Sequence, residues 1–276
     1  MITIRQPADI TWDTLEAVAY YDVPLQIDDS LLVAVDDGRR RFLRLIEQGA
    51  ACYGVTTGLG QLATRSLTGD EQRALSHNML RGRAAAFGPP LDRPVARAIM
   101  VIRLVNFLSG LDGVTAGLCR FITDRLNDGF TPWIPTLGHG MAADAIANTH
   151  AFQTLIGEGY VFGPDNQRQP AAEALAAREV QPYSLASKEG LALVNGVTAA
   201  PAYALDAHRH LSRLLQLANL VAATSLEALA APKDAVDPAL KAISPDPGIA
   251  TVIDDLQRHL ANSQISPDRL QAPVSY

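Results

Sequence analysis

Tyr53 lies in the stretch Tyr53-Gly54-Val55-Thr56-Thr57-Gly58-Leu59-Gly60, too rich in glycine for a helix and suited to a shaped loop. Small neighbours let a phenol approach a bound molecule closely. As a base near neutrality, the phenol needs cations or helix dipoles to lower a pKa of about 10. Cys52, next to it, is either a thiol nucleophile or a small buried side chain. A second turn, Gly138-His139-Gly140, leads into a helix expected to begin near Met141. The backbone N–H groups left free at such a start can hold an anion or an enolate. His139 is then a proton shuttle or base, or else a turn residue with its ring satisfied.

Polar residues also interrupt otherwise apolar helical patterns: His77-Asn78, Arg81, Arg83, Arg103, Asn106, Asp144, Asn148, His150, Lys188, Glu189 and Asn195. A buried polar group without a partner costs a few kcal/mol, roughly 1–3 in proteins. So many in one bundle imply a polar cavity; inter-helix hydrogen bonds and subunit contacts are the alternative.

The elements that must position these groups are mostly helical. Residues 1–66 form a small mixed region with a β-like start at Ile2-Thr3-Ile4-Arg5, a helix over Trp12–Ala19, and a helix over Ser30–Glu47 interrupted near Asp36-Asp37-Gly38. Residues 67–276 read as a helical bundle. Thr68 and Glu71 form a capping box for a helix through Leu80. Helices follow over Arg93–Leu108 and Val114–Leu126, then Ala142–Gly157 after Pro132, Pro135 and Gly138. Residues 160–171 are read as a surface loop. Lys188–Ala231 is one long helical stretch kinked at Pro201, and a last helix runs from about Ile249 to Ala261.

Of 276 residues, 48% are hydrophobic and 19% charged, which describes a globular chain rather than a disordered one. A net charge of −6 with scattered cations gives no nucleic-acid footprint. No apolar run is long enough to span a bilayer, and the N-terminus has no signal-like core, so a cytoplasmic location is expected. Two cysteines are too few for a disulfide framework. Gly58-Leu59-Gly60-Gln61-Leu62-Ala63 fits a dinucleotide pattern but lacks the strand and acidic partner that would support it. His208 and His210 stand about 200° apart on a helix, wrong for a shared metal. No metal or cofactor is expected.

Several blocks, taken in order, resemble the histidine and phenylalanine ammonia-lyase family. These are the Tyr53 loop (with Thr56 where the family usually has Asn), His77-Asn78-Met79-Leu80, and Arg103-Leu104-Val105-Asn106. They continue with Leu126-Asn127-Asp128-Gly129-Phe130-Thr131-Pro132, Asp144 through His150 to Gly159, and Lys188-Glu189-Gly190-Leu191-Ala192-Leu193-Val194-Asn195-Gly196. The resemblance implies a mostly α fold: an ammonia-lyase-like helical bundle in a single truncated lyase-like domain over residues 1–276. It also implies that Tyr53 abstracts a β-proton, and that Asn195 and Asn78 hydrogen-bond a developing oxyanion or fix the site. Gly60, Arg83, Met141 and Ala142 then border the substrate.

Three departures qualify what carries over. The family builds its electrophile, a methylidene-imidazolone, by cyclising and dehydrating an Ala-Ser-Gly triplet, and here that place holds Met141-Ala142-Ala143. No serine lies between Trp133 and His150 to rescue it. The chain ends at Leu270-Gln271-Ala272-Pro273-Val274-Ser275-Tyr276, near where family members enter their second half. Finally, Gly82-Arg83 replaces a Ser-His pair, so Arg83 either selects an acidic or carbonyl-rich substrate group or faces solvent or a subunit contact. The expected function is therefore a lyase-fold enzyme without methylidene-imidazolone. Tyr53 would move protons in an elimination, isomerisation or cyclisation of a small biosynthetic intermediate. The alternative is a non-catalytic or half-site subunit completed by a partner polypeptide. A homo- or hetero-oligomer is expected on either reading.

Overall fold

The computed structural model describes residues 1–264 apart from Met141 and Pro245; the Met141 assignment and the 270–276 segment lie outside the described residues. β1 (Ile2–Ile4) pairs in parallel with β2 (Leu25–Ile27) across α1 (Trp12–Tyr20), whose Thr11 hydroxyl caps the Thr14 amide. α2 runs unbroken from Asp29 to Glu47. The interruption expected near Gly38 does not occur. A Cβ at Gly38 would land on the Gly110 carbonyl, so this glycine serves a close approach rather than a break.

α3 (Gly69–Arg81) begins with the capping box expected: Thr68 accepts from the Glu71 amide and Glu71 accepts from the Thr68 amide. β3 (Phe87–Pro90) leads into α4 (Arg93–Leu108), eleven of whose sixteen residues are buried, and Gly110 with φ 72° closes the turn after it. α5 (Ala116–Asn127) starts two residues later than expected because the Thr115 hydroxyl caps the Leu118 amide. α1, α2 and α5 pack on α4, and Phe107, Leu104, Ile99 and Met100 are fully buried at this centre.

β4 (Pro135–Leu137) pairs antiparallel with β3. The single helix expected over Ala142–Gly157 is three pieces: a 3-10 turn Ala142–Asp144, α6 (Ala145–Phe152) and a 3-10 turn Gln153–Ile156. Ala143 (φ 59°, ψ 30°) and Asp144 (φ 48°, ψ 28°) are left-handed, which an L side chain adopts at about 1–2 kcal/mol and which breaks the helix there. Residues 160–171, expected as loop, contain an antiparallel hairpin of β5 (Tyr160–Phe162) and β6 (Arg168–Pro170) followed directly by α7 (Ala171–Ala176).

The long helical stretch expected over Lys188–Ala231 is also divided. α8 (Glu189–Val194) ends at Asn195, whose extended backbone (φ −102°, ψ 120°) begins a short crossing to α9 (Ala199–Ala228). Pro201 falls in the first turn of α9, where its missing N–H has no helical partner to lose, so it produces no kink there. α10 (Leu240–Ile243) and α11 (Pro247–His259) follow, the latter capped by Asp246. The chain divides into two compact units, Met1–Asp206 and Ala207–Tyr276, a boundary the sequence reading does not draw. The first holds the main core; in the second, Leu256 and Leu260 cluster with Ala223 and Val236.

Candidate active site

α8 is the element around which the candidate residues gather. Gly190 lies so close to α3 that a Cβ would fall on the Ser76 carbonyl, two residues before Asn78. A Cβ on Gly54 would touch the Leu191 side chain at 3.3 Å, which seats the Tyr53 loop on α8 four residues before Asn195. Within that loop the Gly60 amide donates to the Tyr53 phenol oxygen at 3.0 Å, and Gly60 itself has φ 57°. The loop closes on itself through Cys52, whose amide donates to the Thr56 hydroxyl at 2.8 Å. Thr56 thus has a local structural role at the place where the family usually has asparagine.

The other side of α8 is tied to the 142–144 turn. The Asn148 side-chain amide donates to three carbonyls: Gly196 at 2.8 Å, Val194 at 3.1 Å and Ala143 at 3.2 Å. Its own oxygen accepts from the Thr198 hydroxyl at 2.5 Å, and the Gly196 amide donates to the Ala143 carbonyl. Asp144 accepts from the Thr198 and Ala199 amides, both at 2.8 Å, and so caps α9 rather than the helix it precedes. These bonds hold the backbone at Val194 and Gly196, on either side of Asn195, to Asn148 and Ala143. Below them the Arg103 guanidinium donates to the Ala192 carbonyl and lies 3.7 Å from Asp112. A Cβ on Gly196 would fall on this guanidinium, which would have to shift to admit one. Burial, opposed by Asp112, pushes the Arg103 pKa down to about 10, and its Nε is buried with no partner among the described residues.

His139 and Arg83 stand apart from these bonds. Both ring nitrogens of His139 are buried and without partner among the described residues, so the ring is not satisfied by its turn. The Arg83 guanidinium makes a 3.4 Å bond back to the Met79 carbonyl, within its own helix end. The polar set does not line one enclosed cavity. Tyr53 (54% exposed), Gly60, Asn78, Ala142 and Asn195 are each exposed. The buried members are bonded internally: Glu189 accepts from the Thr115 amide and hydroxyl and the Ala186 amide, and the His150 Nε2 accepts from the Ala86 amide at 3.1 Å. Arg81 pairs with Glu158 at the surface. The sequence reading singles out neither Thr198 as a partner of this site nor Asp144 as the cap of α9. The one signal available is a helix-capping pair, Asn195 and Thr198, inside an apparently continuous apolar run.

The family's internal electrophile does not fit these residues. Ala142 carries no hydroxyl to leave as water, and Ala143 adds a side chain at a left-handed position where the family has glycine. Among the described residues no group of three or more His, Cys, Asp and Glu is placed to hold a metal ion.

A seated tyrosine loop, a turn in the triplet position and an asparagine on a helix end, all on a helical bundle, define a lyase-type scaffold. The aromatic amino acid lyase profile matches residues 10–276, and the chain belongs to that family. It is 35% identical over 257 residues to histidine ammonia-lyase of Streptomyces griseus, covering 93% of this chain and 50% of that protein. Tyrosine ammonia-lyase of Cupriavidus metallidurans is 36% identical over 235 residues, covering 83% and 44%. The chain therefore spans about half the length of the curated relatives it matches. The solved histidine ammonia-lyase of Trypanosoma cruzi superposes with a TM-score of 0.83 at 26% identity, over 93% of this chain and 50% of that one. Tyrosine aminomutase of Streptomyces globisporus gives 0.84 at 26% identity, over 97% and 53%. Among the described residues no helix is long and apolar enough to cross a membrane.

Proposed function

We propose that this chain carries a lyase-type proton-transfer site that works without an internally formed imidazolone. Tyr53 is the base, acting on a carbon made acidic by a neighbouring carbonyl in a small molecule. Asn195 donates to the oxyanion that develops, and the reaction is an elimination, isomerisation or cyclisation. His139 supplies or receives the second proton from the turn beside Ala142, and Asn78, Gly60 and Arg83 border the substrate, Arg83 favouring an acidic or carbonyl-rich group. The observation that supports this reading is the 3.0 Å bond from the Gly60 amide to an accessible Tyr53 phenol, on a loop seated four residues before Asn195.

The direct test is deuterium incorporation from D2O into a panel of small keto, hydroxy and amino acids. Wild-type protein is expected to label at least one member, and Tyr53→Phe to lower that rate at least about a hundredfold. Labelling retained in Tyr53→Phe, or no labelling anywhere in the panel, contradicts the proposal. The exposure of Tyr53, Asn78, Ala142 and Asn195 favours a second reading, in which further polypeptide covers this face and the chain is a half-site or non-catalytic subunit.

A further inference from the structure

A separate cavity of about 410 Å3 lies in the first unit, between the β3–β4 pair, α6 and the β5–β6 hairpin. Its size falls in the range of about 300–1,000 Å3 usual for small-molecule sites. Three aromatic side chains line it, Phe87, Trp133 and Tyr160, together with Arg168, His150 and Gln153. Tyr53, Arg83 and Asn195 are not among its walls.

The polar groups here are arranged rather than incidental. The Arg168 guanidinium lies over the Tyr160 ring, its Cζ 3.4 Å from the ring centroid, a cation–π contact that holds the cation at the cavity wall. Among the described residues no carboxylate pairs with it. His150 is committed as an acceptor to the Ala86 amide, and burial, with His139 and Arg168 nearby, pushes its pKa down to about 4. Its ring therefore stays neutral and adds no second charge. Gln153 is buried, with its amide nitrogen 3.5 Å from His150 Nδ1. Trp133 is held by its backbone amide, which donates to the Tyr160 carbonyl at 2.8 Å, and by the Phe162 ring, the two ring centroids 4.9 Å apart. One free cation, one buried amide and three rings around a space of this size match a single negative charge on a flat apolar body.

We propose that this cavity is a second ligand site, distinct from the Tyr53 face, which binds a small aromatic carboxylate. The carboxylate pairs with Arg168 and the ring lies among Phe87, Trp133 and Tyr160.

The protein contains two tryptophans, so Trp12→Phe leaves Trp133 as the only indole and a reporter in the cavity wall. In that background benzoate, titrated at constant ionic strength, is expected to change Trp133 fluorescence saturably. Arg168→Met should weaken the binding at least about tenfold, with Arg168→Lys between the two. Benzamide should bind at least about tenfold more weakly than benzoate. Tyr53→Phe should leave the titration unchanged, which separates this site from the proposed proton-transfer face. Non-saturable quenching, undiminished binding in Arg168→Met, benzamide equal to benzoate, or loss of binding in Tyr53→Phe each overturns the proposal.

Discussion

Side chains at the candidate face act through bonds to backbone more than through bonds to one another. Asn148 serves three carbonyls and one hydroxyl; Asp144 serves the first amides of α9; Tyr53 takes the Gly60 amide. Such partners place each group by the fold rather than by chance rotamers. His150 shows what that costs with pH. Its folded pKa of about 4 lies below its ordinary 6.5, because a buried ring that accepts the Ala86 amide resists protonation. The unfolded chain therefore binds more protons than the folded one between those values, so stability rises with pH across that window. His150 contributes fully above about pH 6.5 and progressively less as pH falls toward 4. Urea unfolding of wild type and His150→Gln over this range should show a steeper acid loss in wild type. Parallel pH profiles would contradict the assignment.

At the scale of elements, α8 is six residues long, yet the tyrosine loop, α3, α6 and the 142–144 turn all meet on it. Its contact with α3 depends on Gly190. Gly190→Ala forces the Ser76 carbonyl aside and should destabilise the first unit by about 1–3 kcal/mol, as overpacked cores do. A denaturant midpoint unchanged from wild type would remove α8 from this role. Elements with local signals were legible in sequence: the Thr68–Glu71 capping box, the α4 boundaries and the glycine loop all hold as read. Gly38 reads locally as a breaker but makes room for the Gly110 carbonyl. The break between α8 and α9 is fixed by Asp144 and Asn148, some 50 residues away. Ala143 and Asp144 take left-handed backbones that no local preference for alanine foretells. The β5–β6 hairpin pairs strands of three residues each, too short to show alternation.

For the whole molecule, the family membership and the helical architecture agree with the sequence reading, while the roles of the site residues remain proposals. α9 presents Leu211, Leu214, Leu215, Leu217, Leu220 and Val221 to solvent, each 46–63% exposed. Large apolar side chains exposed in this number mark an association surface. The protein in solution is expected to run as an oligomer by light scattering, and a monodisperse monomer would contradict that expectation.

The family scaffold here keeps its tyrosine loop and its asparagine while lacking the residues that form an internal electrophile. Mass spectrometry of the proteolytic peptide spanning Gly138 to His150 tests this most directly. The account predicts the mass given by the sequence; a peptide lighter by the water lost in backbone cyclisation would contradict it.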